Sequence, residues 1–327
     1  MSEILDLLAV IGRLLRAENV LILCHKNPDG DTIGSAAALM HALKRLGKEA
    51  AVLCADPIPS RYSYMEIELF QGQFEPNYVV AVDVASIQLF GDALEEYLDR
   101  IDLCIDHHPS NSGYADALLL EGDAAATCEI MYDIINAMNV EITPCIARCL
   151  YTGLSTDTGC FLFSNTTAKS HLLAAKLMEA GVDVAELNMI LFESKSKGRM
   201  AIERIALENL EYHFEDRCAL MSLTREQIAA SGVVANELED ITSLPRKIEG
   251  VQVGITLRQL PQGSYKISVR TAGGVDACAI AKRLGGGGHA RAAGCELEGN
   301  LDNAKAAILA EVERELKRVD ESTAEQE

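Results

Sequence analysis

No uninterrupted apolar run in these 327 residues approaches the roughly 18 residues that a membrane-spanning helix needs. Residues 1–20 lack the basic-then-apolar layout of a secretory leader; they carry acidic residues early, and their periodicity predicts an amphipathic helix. These absences lead to the expectation of a cytoplasmic protein with no membrane partner. Positive charge is scarce as well: 29 Lys and Arg stand against 49 Asp and Glu, a formal charge of −20. Proteins that coat long nucleic acid replace phosphate counterions with Lys and Arg, so that class is disfavoured, long duplex partners above all. No CxxC pair occurs among the ten cysteines, which argues against zinc fingers and dithiol redox centres. Cys24, Cys54 and Cys104 lie in apolar runs, so the cysteines are expected to be reduced and to pack as small hydrophobes.

What is present is an ordinary globular balance, 49% hydrophobic and 24% charged. The length exceeds the usual domain of about 100–200 residues and predicts two domains. Strand-like runs at 19–24, 50–54, 78–82, 101–105 and 117–120 alternate with helical patterns, the first over 34–46 and closed by Gly47. Several runs are continuously apolar, as expected for a parallel sheet covered on both faces. Residues 125–210 are mainly helical in pattern, and a second alternation predicts strands near 217–223, 252–259 and 264–271 and a helix near 276–284. The expected fold is α/β: a parallel-sheet catalytic domain over 1–192, a helical linker over 193–211, and a smaller α/β domain over 212–319 across a cleft. Residues 320–327 are expected to fray.

Three of the apolar runs end in groups that carry chemistry. The first ends in His25-Lys26-Asn27-Pro28-Asp29-Gly30-Asp31, the third in Asp83, and the fourth in Asp106-His107-His108. Open α/β sheets bind ligands beyond the carboxyl ends of their strands, so these groups converge on one edge. Carboxylates gathered so closely repel one another unless a cation intervenes, and the added imidazoles favour Mn²⁺, Zn²⁺ or Fe²⁺ over an all-oxygen Ca²⁺ site. A further carboxylate, Asp157, lies in Ser155-Thr156-Asp157-Thr158-Gly159. Near the C-terminus, Gly285-Gly286-Gly287-Gly288-His289-Ala290-Arg291 offers backbone N–H groups, an imidazole and a guanidinium to an anion. It sits in a basic segment, 246–291, where eight Lys and Arg face two acids.

The stretches HKNPDGD, AVDVAS, DHHPSN and STDTG, in that order, together with GGGGHARAAG, resemble the motifs of the DHH phosphoesterases and their DHH-associated C-terminal domain. The resemblance spans nearly the whole chain and is closest in length and domain content to the nanoRNase group, bifunctional oligoribonucleases and 3′-phosphoadenosine-5′-phosphate (pAp) phosphatases. It implies two divalent metal ions, Mn²⁺ favoured. His25, Asp29 and Asp83 would hold one; Asp31, Asp83, His107 and Asp157 would hold the other, with Asp83 bridging. It also implies that His108 contacts the scissile phosphate and that Asp106 orients a liganding histidine. Arg270, Gly286, Gly287, Gly288, His289 and, with a looser match, Arg291 would grip the far end of the substrate. The implied activity is 3′–5′ exonucleolytic hydrolysis of short single-stranded RNA or DNA, or of pAp to AMP and phosphate. Cyclic-di-AMP or linear dinucleotide hydrolysis is the alternative within enzymes, and a non-catalytic nucleotide-binding module the alternative outside them. Homodimers are common in the family.

Overall fold

The computed structural model describes residues 2–234, 237–238 and 241–324. The chain divides into two compact units, Met1–Ser194 and Lys195–Glu327.

The first unit is built on six strands: β1 (Glu3–Ile4), β2 (Asn19–Leu23), β3 (Glu49–Leu53), β4 (Tyr78–Val82), β5 (Leu103–Asp106) and β6 (Ala117–Leu120). They form one sheet in the order β1-β6-β5-β4-β2-β3, every pairing parallel. Alternate residues along each strand enter two different cores. Val20, Ile22, Val80, Val82, Leu103 and Ile105 pack under the helices, while Leu21, Leu23, Val79, Ala81 and Cys104 pack with Phe90, Leu94 and Ile101 on the other face. Burial on both faces explains why these strands read as continuous apolar runs. The helices are α1 (Leu7–Arg16), α2 (Gly30–Arg45), α3 (Thr127–Ala137), α4 (Pro144–Asp157), α5 (Ala168–Glu179) and α6 (Val184–Asn188). From β2 the chain steps outward to β3, then returns to place β4 on the other side of β2. That reversal makes the gap between the carboxyl ends of β2 and β4 the topological switch point of the sheet.

Helices α2 and α4 cross at positions that have no room for a side chain. A Cβ on Gly30 would lie 2.2 Å from Thr156 Oγ1, one on Gly34 would lie 2.4 Å from the Cys149 carbonyl oxygen, and one on Gly153 would lie 2.6 Å from Asp31 Oδ1. The glycines therefore set the distance between the start of α2 and the end of α4.

The second unit carries a mixed sheet of β7 (Leu210–His213), β8 (Cys218–Leu223), β9 (Val253–Gln259), β10 (Tyr265–Thr271), β11 (Gly287–His289) and β12 (Ala292–Leu297), in the order β11-β12-β10-β9-β8-β7. Only β8 and β9 pair in parallel. Its helices are α7 (Lys197–Glu208), α8 (Arg225–Ser231), α9 (Ala277–Lys282) and α10 (Leu301–Ala324). On one face, Ile255, Ile267 and Val269 pack with Ile280 of α9 and with Ala304, Ile308, Val312 and Leu316, a stripe at helical spacing along α10. On the other, Ile202 and Ala206 of α7 pack with Met221, Leu223 and Ile241.

The structure departs from the sequence expectations in three places. The amphipathic N-terminal helix starts only at Leu7, capped by Asp6, because Glu3 and Ile4 pair with Ala117 and Leu118 as an edge strand. The charged stretch 193–211, read as a linker, contains α7, whose inward residues belong to the second unit's core. The tail remains helical to Ala324, with Asp320 paired to Arg217 at 2.7 Å; residues 325–327 lie outside the described residues.

The α2–α4 crossing yields a test in which two effects oppose each other. Helix propensity alone would favour Gly34→Ala by about 1 kcal/mol. Pushing a backbone carbonyl aside typically costs about 1–3 kcal/mol. We expect Gly34→Ala to lower the urea midpoint of the protein; an unchanged or raised midpoint would show that the crossing has slack.

Candidate metal centre and anion strip

The end of each central strand delivers its polar groups to the switch point. His25 follows β2, and Asp29 caps α2, its Oδ1 accepting from the Asp31 and Thr32 amides at 3.0 and 3.2 Å. Asp31 lies in the first turn of α2 and is 1% exposed. Asp83 follows β4 in the left-handed region, φ +60°, with its N–H held by the Ile105 carbonyl at 2.9 Å. Asp106 closes β5, and Asp157 is the last residue of α4. The ligand atoms of His25, Asp29 and Asp83 lie within 4.8 Å of one another, as do those of Asp31, His107 and Asp157, and those of Asp83, His107 and His108.

Hydrogen bonds fix how each group faces the cluster. His107 directs Nδ1 to the Ala124 carbonyl at 3.1 Å; its Nε2 lies 3.6 Å from Asp83 Oδ1 and 3.7 Å from Asp157 Oδ2, buried and with no hydrogen-bond partner among the described residues. His25 likewise gives Nδ1 to the Lys26 carbonyl at 2.8 Å, leaving Nε2 3.6 Å from Asp29 and 4.0 Å from Asp83. A carbonyl oxygen accepts only, so in both rings Nδ1 carries the hydrogen and Nε2 keeps its lone pair in the neutral form. That is the tautomer a metal requires, held by the bond that metal-ligating histidines ordinarily make. Asp31 receives the Thr127 and Cys128 amides, at 2.6 and 2.9 Å, from the first turn of α3, and Thr127 Oγ1 donates to Asp83 at 2.9 Å.

Asp106 has a different office from the one expected. It accepts from His108 Nδ1 at 2.8 Å and from Asn111 Nδ2 at 2.6 Å, and from the His107 and His108 amides. It therefore orients His108, whereas the ring of His107, the expected ligand, is oriented by a backbone carbonyl. The bond from Asp106 raises the His108 pKa to about 9.

Electrostatics test whether these residues suit divalent cations. Burial, with Asp83 and Asp157 nearby, pushes the Asp31 carboxyl well above its usual range. Burial and the charge of Asp29 raise Asp83 to about 7. Burial also raises Asp157. Burial disfavours the His25 cation, but the Asp29 carboxylate 3.6 Å away outweighs it and lifts the pKa to about 9. Three carboxyls that resist ionisation, surrounding an imidazole nitrogen without a partner, form a donor set that fits divalent metal.

In the second unit the glycine run is an edge strand. Gly287, Gly288 and His289 pair with Gly294, Ala293 and Ala292. A Cβ on Gly286 would lie 2.1 Å from the Gly294 carbonyl oxygen, and one on Gly288, at φ +142°, would lie 2.6 Å from that of Ala292. The glycines are thus needed for β11 to close on β12. Across the sheet, Arg270 opposes Ala292, which in turn opposes His289, so the guanidinium and the imidazole share a face with only an alanine between them. Arg258 and Lys266 are a second facing pair on that side of the strands. Arg283 is taken up by Glu311 and Glu315 of α10, and Arg291 donates to the Gly273 and Val275 carbonyls, so the basic segment does not form one patch.

Sequence reading missed three supporting residues. Asn111 lies within DHHPSN, five residues beyond Asp106, so the motif itself carried a signal. Thr127 showed only as a polar residue starting a helix. Asn165, which donates to Asp157 Oδ2 at 3.3 Å, comes from a loop with no pattern to mark it.

The clustered charges give a pH test on the metal-free protein. A group whose pKa is higher folded than unfolded stabilises the fold while protonated, and that contribution disappears as pH rises through the folded pKa. For Asp83 the window runs from about 4 to about 7, and for His25 from about 6.5 to about 9. The melting temperature of metal-free protein should therefore fall between pH 6 and pH 9, and saturating divalent metal should remove most of that fall. A flat or rising profile without metal would contradict the arrangement.

A family model described as "DHH family, N-terminal domain" matches residues 19–154, and one for the DHHA1 domain matches residues 223–318. The chain is 35% identical over 317 residues, 94% of each chain, to the bifunctional oligoribonuclease and PAP phosphatase NrnA of Thermus thermophilus. It is 28% identical to the probable enzyme of that name from Streptococcus mutans, over 87% of this chain and 91% of the relative. Among solved structures it resembles an exopolyphosphatase-related protein from Bacteroides fragilis, with a TM-score of 0.85 at 23% identity, covering 94% of this chain and 96% of the other. Identity at that level speaks for the fold alone. No helix among the described residues is long and apolar enough to cross a membrane. The order of the motifs, the two matching domains and a relative at 35% identity over 94% of its length place this chain in the DHH family of phosphoesterases.

Proposed function

We propose that this chain hydrolyses phosphate esters at the ends of short single-stranded oligonucleotides and of pAp, using two divalent ions, with Mn²⁺ favoured. The observation that carries the reading is the partnerless Nε2 of His107, set among carboxylates that resist ionisation. His25, Asp29 and Asp83 would hold one ion, and Asp31, Asp83, His107 and Asp157 the other. Bound there, divalent ions supply Lewis-acid stabilisation of phosphoryl oxygens and ease the ionisation of water, so the chain needs no Ser or Cys nucleophile.

The chain's own residues do the rest. Asp106 favours the imidazolium form of His108, whose Nδ1 it occupies, and so leaves Nε2–H to donate to a phosphoryl oxygen as charge builds there. Asn111 holds the other oxygen of Asp106 and keeps that carboxylate from turning. Arg270 and His289 would bind a phosphate or terminal group of the substrate remote from the bond being cut. A local strip of this kind lets a chain of charge −20 accept a small anion without coating a long one. The names of the Thermus and Streptococcus relatives, which join an oligoribonuclease to a PAP phosphatase, support the same substrate classes.

The test is a metal-dependent hydrolysis panel of pAp, linear di- to pentanucleotides, cyclic-di-AMP and long single-stranded DNA, with p-nitrophenyl phosphate as a minimal ester. The reading expects pAp and the shortest linear oligonucleotides to lead. Cyclic-di-AMP in first place would reassign the substrate, and comparable rates on long DNA would remove the size selection. A charge-assisted contact to phosphate is worth about 1.5–3 kcal/mol. Arg270→Ala and His289→Ala should therefore each lower kcat/KM on nucleotides about ten- to a hundredfold while sparing p-nitrophenyl phosphate and metal content. If His289→Ala damaged the small ester equally, His289 would belong to the cutting centre and the division of labour would fail.

A further inference from the structure

A fourth group of ligand-type atoms lies apart from the metal centre and shares no residue with it. His41 on α2 and Cys145 and Cys149 on α4 bring their Nε2 and Sγ atoms within 4.8 Å of one another. Cys145 stands near the start of α4 and Asp157 at its end, twelve residues of helix or roughly 18 Å away.

The hydrogen bonding decides what this group can do. His41 Nε2 lies 2.7 Å from the Met65 carbonyl oxygen and 3.4 Å from Cys145 Sγ. Because the carbonyl can only accept, Nε2 carries a hydrogen and offers no lone pair to a metal. That hydrogen also faces the sulfur of Cys145. Cys145 is the second residue of α4, behind the Thr143 cap and Pro144, where the helix terminus favours negative charge. The Cys149 thiol, its Sγ within 4.8 Å, and then the hydrogen bond with His41 at 3.4 Å hold the Cys145 thiol down to about 4 against its burial, and the charge of Arg148 acts in the same direction. The remaining neighbours do not oppose this. Glu66 supports the His41 cation, and Tyr64, bonded to Thr152, is pushed up by burial to about 12 and stays neutral. Cys149 is buried, and its proximity to Cys145 together with that burial pushes its own thiol up and keeps it protonated. Cys145 is half-buried, as are Cys54, Cys160 and Cys278, which makes those three its internal controls.

We infer that Cys145 is a covalent modification site for peroxides and other soft electrophiles, built by the His41–Cys145–Cys149 group and independent of the phosphoesterase centre. With a peroxide, the sulfur attacks the O–O bond. The S–O bond forms as the O–O bond breaks, the thiolate is oxidised to a sulfenic acid, and the peroxide is reduced. The departing hydroxide takes the proton of the His41 imidazolium and leaves as water. The expectation that all ten cysteines are inert packing groups fails at this one position.

The test uses the full-length protein, pulse-labelled with iodoacetamide at pH 5, then unfolded and labelled with an isotopic form of the reagent so that each cysteine is scored by mass spectrometry. At pH 5 an ordinary thiol of pKa about 8.5 is ionised to about one part in 3,000, whereas Cys145 is nearly all thiolate. Its lower basicity makes it about a hundredfold weaker as a nucleophile. The net expectation is labelling at least about 30-fold faster than at Cys54 and Cys160, whose thiols burial pushes up. His41→Gln, which retains a donor for Met65 but removes the cation, should cut that advantage at least tenfold, and hydrogen peroxide with dimedone should trap a sulfenic acid at Cys145. Labelling no faster than at the other three half-buried cysteines would overturn the inference. So would an advantage untouched by His41→Gln, or protection of both Cys145 and Cys149 by one equivalent of zinc ion beyond what the carboxylate cluster takes up, which would make the group a metal site.

Discussion

Asp31, Asp83 and Asp157 cannot all be ionised beside His107 unless positive charge stands among them. Burial in a low-dielectric interior strengthens their repulsion and removes the water that would screen it. The protein meets part of this demand itself. Two amides from the first turn of α3 reach Asp31, the hydroxyl of Thr127 reaches Asp83, and His25 favours its cationic form beside Asp29. What these contacts leave unmet is visible as raised carboxyl pKa values and as the partnerless Nε2 of His107. A divalent cation would supply what is missing, and the rest of the first unit can be understood as the scaffold that keeps the demand in place.

That scaffold works by denying the acids any means of separating. The switch point sets the ends of β2 and β4 side by side, which fixes His25 and Asp83 relative to each other. The glycines at the α2–α4 crossing then bring Asp31, at the start of one helix, against the end of the other, where Asp157 stands. Asp83 is held in a left-handed conformation by a backbone bond to β5. Each device costs some local stability, and a metal-free protein must carry that cost alone. In the second unit the logic is milder: a row of small residues lets Arg270 and His289 face the same side of a sheet without burying either side chain.

The chemistry was legible in the sequence wherever it rode on a strong pattern. Buried parallel strands leave continuous apolar runs, so the positions of His25, Asp83 and Asp106–His108 relative to strand ends followed from periodicity and one rule about parallel sheets. What the sequence concealed depended on pairing between distant segments. The two-residue strand Glu3–Ile4 has no pattern of its own and exists because Ala117 and Leu118 offer it an edge. The glycine run was legible as backbone N–H groups offered to an anion, and only the closeness of β12 shows that it is a strand. Helix α7 displays its charges in the sequence while Ile202 and Ala206, the residues that commit it to the second unit, are too few to stand out. His41 and Cys145 are separated by 104 positions, so no spacing rule could have joined them.

The central claim is that the carboxylate cluster is completed by divalent metal, and titration calorimetry of Mn²⁺ into metal-free protein addresses it most directly. Run at pH 6.5 in two buffers of different ionisation enthalpy, the titration reports both the number of ions bound and the number of protons displaced. The account predicts two ions per chain with net proton release, because Asp83 and His25 hold protons at that pH that metal ligation must remove. Binding without proton release, or no binding by a protein whose Asp83→Ala variant behaves identically, would contradict it.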